Sequence, residues 1–262
     1  STPKGVMLSH KNLLTNGMQF TEMLQTEGKD DYTVGFLPLF HAYAFMACVI
    51  GPFYSAGGTV LFGSTQDIKK GNFDKFIAKY RPSIMIGVPQ LYTAFTRWPL
   101  SQAEKDAVPF RITVSGGGAL MLATIEKYQE THGQLLLDGY GLSEASPIVT
   151  LNPPDAPKLG SIGKIAPGIS YRLIDPDGNE VSRGESGELV IKGDNVMMGY
   201  WNRPEETALV LSPDGWLRTG DVVCEDADHY LYIVDRIKNL IIYKGLNVSP
   251  KELEGDLLEQ AA

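Results

Sequence analysis

Apolar and polar positions follow two different patterns along the chain, and the first pattern fills residues 1–158. In this part, short apolar runs alternate with segments in which apolar residues recur at helical spacing. Strands are predicted at Val34–Leu37, Thr59–Phe62, Ser83–Val88, Arg111–Ser115 and Leu135–Leu137, and helices from a Ser9 cap to about Leu24, after His41, from an Asn72 cap to Tyr80, from Pro89 and over Met121–His132. This regular alternation predicts an α/β fold in which helices flank a parallel sheet.

The second pattern begins near Gly160, where short runs of period two replace the helical segments. Tyr171–Ile174, Glu188–Ile191 and Tyr230–Val234 are such runs, and Asp-Gly and proline-rich turns separate them. They predict a small antiparallel β subdomain. Three parts are therefore expected: an α/β subdomain over 1–158, a β-rich subdomain over 159–236, and a hinge with the start of a lid domain over 237–262.

Composition and charge narrow the classes of partner. The 262 residues carry 23 basic and 31 acidic side chains, a formal charge of −8, so no basic surface for nucleic acid is expected. Cys48 and Cys224 match neither a metal spacing nor a disulfide framework, which favours the reducing cytoplasm. Thr33–Gln66 has no charged residue, but Pro38 and Pro52 divide it, so no transmembrane segment is predicted.

The most informative stretch for chemistry follows the predicted strand Leu135–Leu137, where a tight polar turn carries a hydroxyl and a carboxylate. Beyond Asp138, glycines would let the backbone approach a ligand, and Tyr140 offers a flat face for a base. Ser143 offers a hydroxyl to phosphate or metal, and Glu144 is a hard oxygen ligand for magnesium. A strand followed by a glycine turn and a helix cap has the same composition, so this stretch alone does not establish a site.

A series of further motifs accompanies this stretch in the chain. They are Pro3-Lys4-Gly5-Val6, Leu37-Pro38-Leu39-Phe40-His41, Gly139-Tyr140-Gly141-Leu142-Ser143-Glu144, Gly187-Glu188-Leu189, Gly199-Tyr200-Trp201-Asn202-Arg203-Pro204, Gly215-Trp216-Leu217-Arg218-Thr219-Gly220-Asp221 and Asp235-Arg236-Ile237-Lys238. Over nearly its whole length the chain thus resembles the adenylate-forming acyl-CoA synthetases, which include fatty acyl-CoA ligases, coumarate ligases and beetle luciferases. The resemblance implies that ATP and a carboxylic acid, most simply a fatty acid, give an acyl-adenylate and pyrophosphate, and that coenzyme A then displaces AMP.

The resemblance also implies roles for individual residues around ATP. Glu144 would hold Mg²⁺, Ser143 would contact phosphate, and Lys4 with Thr2 would contact the β/γ end. The residues implied to line the adenine slot are Gly116, Gly117, Gly118, Asp138, Gly139 and Tyr140. This assignment suits the chemistry, because the attacking carboxylate is already ionised at neutral pH and the step needs positioned positive charge more than a general base.

Further roles concern the ribose, the acid and the hinge. Asp221 would accept both ribose hydroxyls and Arg236 would add a donor nearby, while His41 would lie between the α-phosphate and the acyl pocket. Lys238 lies at the hinge position, before Gly245–Glu254, which resembles the start of a mobile lid. Candidates for the acyl pocket are Phe40, Tyr43, Phe45, Val88, Gln90 and Ala145. The other histidines, expected at the surface or in caps, are His10, His132 and His229.

Three departures from the family pattern suggest a fragment. The phosphate loop is reduced to Ser1-Thr2 before Pro3, the preceding large subdomain is missing, and the lid ends before its adenylation lysine. The chain by itself is therefore expected to be catalytically incomplete, and the missing subdomain and the rest of the lid are expected to be needed for activity. Ile242 occupies a position where some family members have a lysine that assists their second step.

Two alternatives belong to other functional classes, and a third, an acyl-AMP ligase, belongs to the same family. Gly141–Ala145 approximates the nucleophile elbow of a serine hydrolase, with Asp221 and His229 downstream, but Pro147 is incompatible with the helix that an elbow requires. An acyl-AMP ligase would deliver the acyl group to a carrier protein instead of coenzyme A. An inactive fragment would bind nucleotide or acyl group without reaction.

Overall fold

The computed structural model describes residues 3–55, 57–61, 70–98, 110–237, 241–243 and 246–248. The α-helices are α1 (His10–Met23), α2 (Ala42–Phe45), α3 (Gly51–Tyr54), α4 (Lys70–Tyr80), α5 (Pro89–Phe95), α6 (Leu122–His132) and α7 (Pro204–Val210). The strands are β1 (Val6–Met7), β2 (Tyr32–Gly35), β3 (Gly58–Leu61), β4 (Ile84–Gly87), β5 (Ile112–Ser115), β6 (Leu136–Gly141), β7 (Ile148–Leu151), β8 (Lys164–Ile165), β9 (Ser170–Ile174), β10 (Ser186–Lys192), β11 (Gly199–Tyr200), β12 (Leu217–Glu225), β13 (Leu231–Arg236), β14 (Ile241–Tyr243) and β15 (Leu246–Val248).

Local signals in the sequence fix several of these boundaries. Ser9 caps α1, because its Oγ accepts from the Asn12 N–H at 3.1 Å, as predicted. Helix α6 ends at Gly133, whose φ of +71° is the left-handed conformation that glycine adopts readily. Helix α4 begins at Lys70, so the prediction that Asn72 caps it is wrong.

A seven-stranded sheet organises the first part of the chain, in the order β3-β2-β4-β5-β6-β7-β8. The strands from β3 to β6 are parallel, and β7 and β8 are antiparallel additions. This confirms the predicted α/β class. Ser115 pairs with Asp138 in the β5–β6 register, so the carboxyl ends of these two strands lie side by side.

Both faces of the parallel sheet are covered, as the apolar composition of its strands requires. Ile84 and Ile86 of β4 pack into one core with Phe20 of α1 and Tyr43 of α2. Met85 points to the opposite face and packs into a second core with Tyr92 of α5 and Tyr128 of α6. Because side chains alternate along a strand, β4 contributes side chains to both cores.

The second part of the chain is antiparallel, as its period-two pattern predicts. Strands β13, β12, β10 and β9 form a four-stranded sheet in that order, and β14 pairs with β15. Strand β11 pairs with β1, which brings Tyr200 opposite Val6. Strand β8 of the large sheet lies beyond residue 158, and the three domain boundaries stay predictions.

The position of His132 and the character of the helices are two further features of the fold. His132 is buried, with Nε2 2.9 Å from the Phe95 carbonyl oxygen and its ring stacked on Tyr128, so the expected surface position is wrong. Its place in the last turn of α6, against α5, explains this burial. Among the helices that the structure describes, none has the length and apolar character needed to cross a membrane.

Candidate functional site

A cavity of about 570 Å³ lies at the carboxyl ends of β5 and β6, beside the point where the sheet changes from parallel to antiparallel pairing. Open α/β sheets bind ligands at such strand ends, and the volume suits a small organic molecule. The predicted site residues that line it are His41, Tyr43, Gly116, Gly117, Gly118, Asp138, Gly139, Tyr140, Ser143, Asp221 and Arg236. The fold thus assembles in one cavity residues that lie up to 195 positions apart in sequence (41 to 236).

One wall of the cavity carries a connected group of three polar side chains. Tyr140 donates to Oδ2 of Asp221 at 2.6 Å, and Nε of Arg236 lies 2.7 Å from Oδ1 of the same carboxylate. Asp221 is buried and pairs with Arg236 in the register of β12 with β13. Burial and the neighbouring Asp221 raise the pKa of Tyr140 well above its usual range, so its hydroxyl stays protonated.

Asp138 is a second buried carboxyl on the cavity wall, at the end of the parallel run of β6. Burial raises its pKa to about 8, although the Gly139 N–H donates to Oδ1 at 3.0 Å and opposes this shift. The group is therefore mostly neutral at pH 7. It can donate a hydrogen bond to a ligand as well as accept one.

His41 caps the short helix α2 at the edge of the same cavity. Its Nδ1 accepts from the Tyr43 N–H at 3.2 Å, which places the proton of a neutral ring on Nε2. His41 is exposed, although it stands at the start of a helix. This geometry leaves Nε2 as a hydrogen-bond donor.

The loop of Ser143 and Glu144 is held by buried amide side chains. Asn16 of α1 makes two hydrogen bonds to the backbone of Ile148, accepting from its N–H at 2.9 Å and donating to its oxygen at 2.7 Å. Asn195 donates to the oxygen of Ala145 at 2.9 Å. Buried polar contacts of this kind fix a loop in one conformation.

Ser143–Ala145 forms a 3₁₀ turn that leads to Pro147 and β7 instead of an α-helix. This confirms that Pro147 excludes a hydrolase-type nucleophile elbow. The glycine at 141 serves the same turn, because a Cβ there would lie 2.1 Å from the Pro147 oxygen. At this position the close approach is made by the chain itself, whereas the sequence suggested a ligand.

Glu144 has a hydrogen-bond partner that its sequence motif does not reveal. The Tyr200 hydroxyl donates to its Oε1 at 2.6 Å, and the Lys4 ammonium lies 4.1 Å from the centre of the Tyr200 ring. Tyr200 is buried, whereas Lys4 is exposed. Two of the residues implied to act on the phosphates and the metal therefore contact one aromatic side chain.

Several predicted residues do not line the cavity, including Lys4 and Glu144. Phe40 is 91% exposed, Gln90 is exposed, and Ala145 is buried in the core beneath the four-stranded sheet. Phe45 is partly exposed and Val88 lies against Gly117. The residues whose predicted roles lie outside the described part of the chain are Thr2 and Lys238. All these assignments stay predictions.

Ser115 and Asp235 are among the lining residues that the sequence did not assign to the site. The hydroxyls of Ser115 and Tyr43 are buried and have no hydrogen-bond partner within the described residues. The signal for Ser115 was its position, because it ends a predicted strand directly before three glycines. Buried hydroxyls seldom remain unpaired, so their presence on the wall fits a site completed by a polar ligand.

Replacing Asp138 with asparagine is expected to stabilise the fold more at pH 8.5 than at pH 5. The folded-state pKa of about 8 lies above the ordinary 3.8, so the unfolded chain ionises first and stability falls as pH rises between these values. The uncharged amide removes this loss, with a gain on the order of 2–4 kcal/mol larger at pH 8.5 than at pH 5. Thermal unfolding at both pH values measures it.

Asp155→Asn is the matched control for this measurement, because Asp155 is exposed. It should change the melting temperature equally little at both pH values. Equal changes for Asp138→Asn at pH 5 and pH 8.5 would contradict the assignment of a buried, mostly neutral carboxyl at Asp138.

The fold and the cavity define an α/β protein with a candidate ligand site at the carboxyl edge of its parallel sheet. A family model described as AMP-binding enzyme matches residues 1–201, and the chain belongs to this family of adenylate-forming enzymes.

The chain is also similar to two curated ligases. It is 39% identical to a long-chain-fatty-acid–CoA ligase of Salmonella typhimurium, over 98% of this chain and 46% of the relative. It is 38% identical to a feruloyl-CoA synthase of an Amycolatopsis species, over 97% of this chain and 51% of the relative. The chain therefore spans about half the length of these curated relatives.

A solved structure has the same fold. O-succinylbenzoate coenzyme A synthetase from Bacillus subtilis, in complex with ATP and a magnesium ion, superposes with a TM-score of 0.83 at 27% identity. The superposition covers 99% of this chain and 53% of that chain.

Proposed function

We propose that the protein activates a carboxylic acid with ATP, releasing pyrophosphate and forming an acyl-adenylate, and then transfers the acyl group to coenzyme A. The main supporting observation is the group of Tyr140, Asp221 and Arg236 on the cavity wall. An aromatic face beside a paired carboxylate suits a nucleoside, because the face stacks on a base and the carboxylate accepts from a ribose diol.

The nucleotide would lie along the ends of β5 and β6, with the base between Gly117 and Tyr140. Gly117 has a φ of +76°, and a side chain at Gly116 would place its Cβ 2.9 Å from Cζ of Tyr43. Glycine at both positions keeps this part of the wall open. Ser143, at the other end of the same loop, would contact phosphate.

Glu144 is the residue that would hold a magnesium ion. A carboxylate oxygen is a ligand of the type that this ion prefers, and one carboxylate plus substrate phosphates is a common protein contribution. Among the described residues, no basic side chain forms an ion pair with Glu144, so its charge is available. The ion would offset the repulsion between the acid and the polyphosphate.

His41 would act where the acid meets the α-phosphate. Because its Nδ1 is occupied by the Tyr43 N–H, its Nε2 proton can donate to an oxygen of the reacting phosphate. A carboxylate nucleophile carries no proton at neutral pH, so His41 is not required as a base. Its contribution is a donor at a developing negative charge.

The acid would bind in the apolar part of the cavity, near Phe20, Val114 and Ile148. We propose a fatty acid as the substrate, since the ligase of Salmonella typhimurium carries that substrate in its name. The similarity to a feruloyl-CoA synthase supports an aromatic acid as the second candidate. Mg²⁺, ATP and coenzyme A are the proposed cofactor and co-substrates.

ATP–pyrophosphate exchange in the complete protein tests this proposal. Exchange that depends on an added acid is expected, because adenylate formation is reversible whereas binding alone exchanges nothing. A panel of fatty and aromatic acids identifies the substrate, and product analysis with and without coenzyme A identifies the acceptor. Absence of exchange with every acid, from protein that binds ATP, would favour a nucleotide-binding function without catalysis.

A further inference from the structure

Tyr200 lies between two residues of opposite charge that the proposed function places at the phosphates. Its hydroxyl donates to Oε1 of Glu144 at 2.6 Å, and its ring faces the ammonium of Lys4 at 4.1 Å. The first contact uses the edge of the side chain and the second uses its face. Both contacts are within the ranges of a charge-assisted hydrogen bond and a cation–π interaction.

The backbone holds Tyr200 in this position independently of the two charges. Strand β11 pairs with β1, so Tyr200 stands opposite Val6, two residues after Lys4. The Trp201 N–H donates to the Gly5 oxygen at 2.7 Å, and the Tyr200 N–H donates to Oγ1 of Thr207 at 2.9 Å. The backbone at Tyr200 is therefore held by contacts that do not involve the side chains of Glu144 and Lys4.

Glu144 is fixed from the other side. The Met197 N–H donates to the Glu144 backbone oxygen at 2.9 Å, which ties the 3₁₀ turn to the segment that leads into β11. Burial, together with the hydrogen bond to Glu144, raises the pKa of Tyr200 well above its usual range. The hydroxyl is therefore protonated and remains a donor at neutral pH.

Lys4 and Glu144 do not neutralise each other. Within the described part of the chain, no ion pair joins them, although Glu144 contacts the hydroxyl and Lys4 the ring of the same tyrosine. A direct pair would leave the carboxylate less able to bind a cation and the ammonium less able to bind phosphate. A neutral side chain between them keeps both charges available.

We propose that Tyr200 is a positioning residue for adenylate formation, which holds Glu144 toward the metal and Lys4 toward the terminal phosphates and prevents an ion pair between them. This inference rests on the proposed function, but it makes a separate statement about magnesium. It predicts that loss of the Tyr200 hydroxyl affects the magnesium-dependent half-reaction and spares transfer to the thiol.

Two substitutions in the complete protein separate the two contacts. Tyr200→Phe keeps the ring and removes the donor to Glu144, whereas Tyr200→Leu removes both contacts. Tyr171→Phe is the matched control, because Tyr171 also donates to a glutamate, Glu225 at 2.9 Å, to which no role at the phosphates or the metal is assigned. Each variant is compared with the wild type at several magnesium concentrations.

For Tyr200→Phe we expect ATP–pyrophosphate exchange to fall about 10-fold, the scale of a hydrogen bond to a charged group. The magnesium concentration for half-maximal exchange should rise, because the carboxylate is less well oriented. Tyr200→Leu should lose a further factor of about 3, with a raised KM for ATP, as the cation–π contact is lost. Thioester formation from a supplied acyl-adenylate should stay within about 2-fold of wild type. This second step has no pyrophosphate for the ion to neutralise.

The outcomes that would overturn the inference are distinct from failure of the proposed function. Equal losses in both half-reactions, or an unchanged magnesium dependence with a lower melting temperature, would show that Tyr200 only supports the fold. If Tyr200→Leu does not fold, Tyr200→Phe decides the question. Wild-type protein without any exchange would instead reject the proposed function.

Discussion

Replacing Glu144 with glutamine in the complete protein is expected to abolish adenylate formation and to leave transfer from a supplied acyl-adenylate largely intact. The amide keeps the shape of the side chain but loses the negative charge that holds a hard cation. We expect kcat of the first step to fall by about 10²–10³-fold or more, the scale of removing one preorganised electrostatic group. The second step has no pyrophosphate to neutralise and should not need the ion.

Measuring pyrophosphate release and thioester formation separately tests this expectation. Glu126→Gln is a matched control, because Glu126 is an exposed glutamate of α6. It should leave both rates unchanged. Equal losses in the two steps for Glu144→Gln would mean that Glu144 supports the fold or the acyl pocket and does not hold the metal.

Replacing Asp221 with alanine is expected to weaken ATP binding far more than it slows the chemistry. A ribose diol is contacted alike in the ground and transition states, so the KM for ATP should rise by roughly 10–100-fold while kcat changes little. The structure adds a stability effect, because Tyr140 and Arg236 both lose their shared partner. Asp221→Asn, which keeps the size of the side chain, provides a second variant if alanine unfolds the protein.

Steady-state kinetics at varied ATP concentration, with thermal unfolding alongside, distinguish these effects. Asp177→Ala is the control, since Asp177 is exposed in a turn and does not line the cavity. A fall in kcat without a change in the KM for ATP would contradict the assignment of Asp221 to the ribose.

Much of the fold followed from local patterns. Strand β4 is buried on both faces, and an uninterrupted apolar run such as Ser83–Val88 is typical of such a strand. Helix α1 begins after Ser9 and α6 ends before Gly133 because capping depends on the residues at the boundary themselves. His132 was misplaced, since helical spacing does not reveal which neighbouring helix covers a given face.

Only part of the candidate site could be predicted from local sequence patterns. The motif residues Tyr140, Ser143 and Asp221 line the cavity, whereas their roles toward a nucleotide stay predictions. Tyr200 lies in a motif, yet nothing in its local sequence identifies Glu144, 56 residues away, as its partner. Its position depends on the pairing of β1 with β11. Each of these strands has only two residues and is too short to show a periodic pattern in the sequence.

The sequence by itself determined the helices, most of the strands, the change from alternating to antiparallel pattern and the identity of the motif residues, because these depend on neighbours along the chain. The tertiary structure decided which distant residues meet. Tyr140 and Asp221 are 81 positions apart in sequence. They come into contact because β6 and β12, although they belong to different sheets, both border the same cavity. Sheet order and strand register bring such residues together, and neither is encoded in any short stretch of sequence.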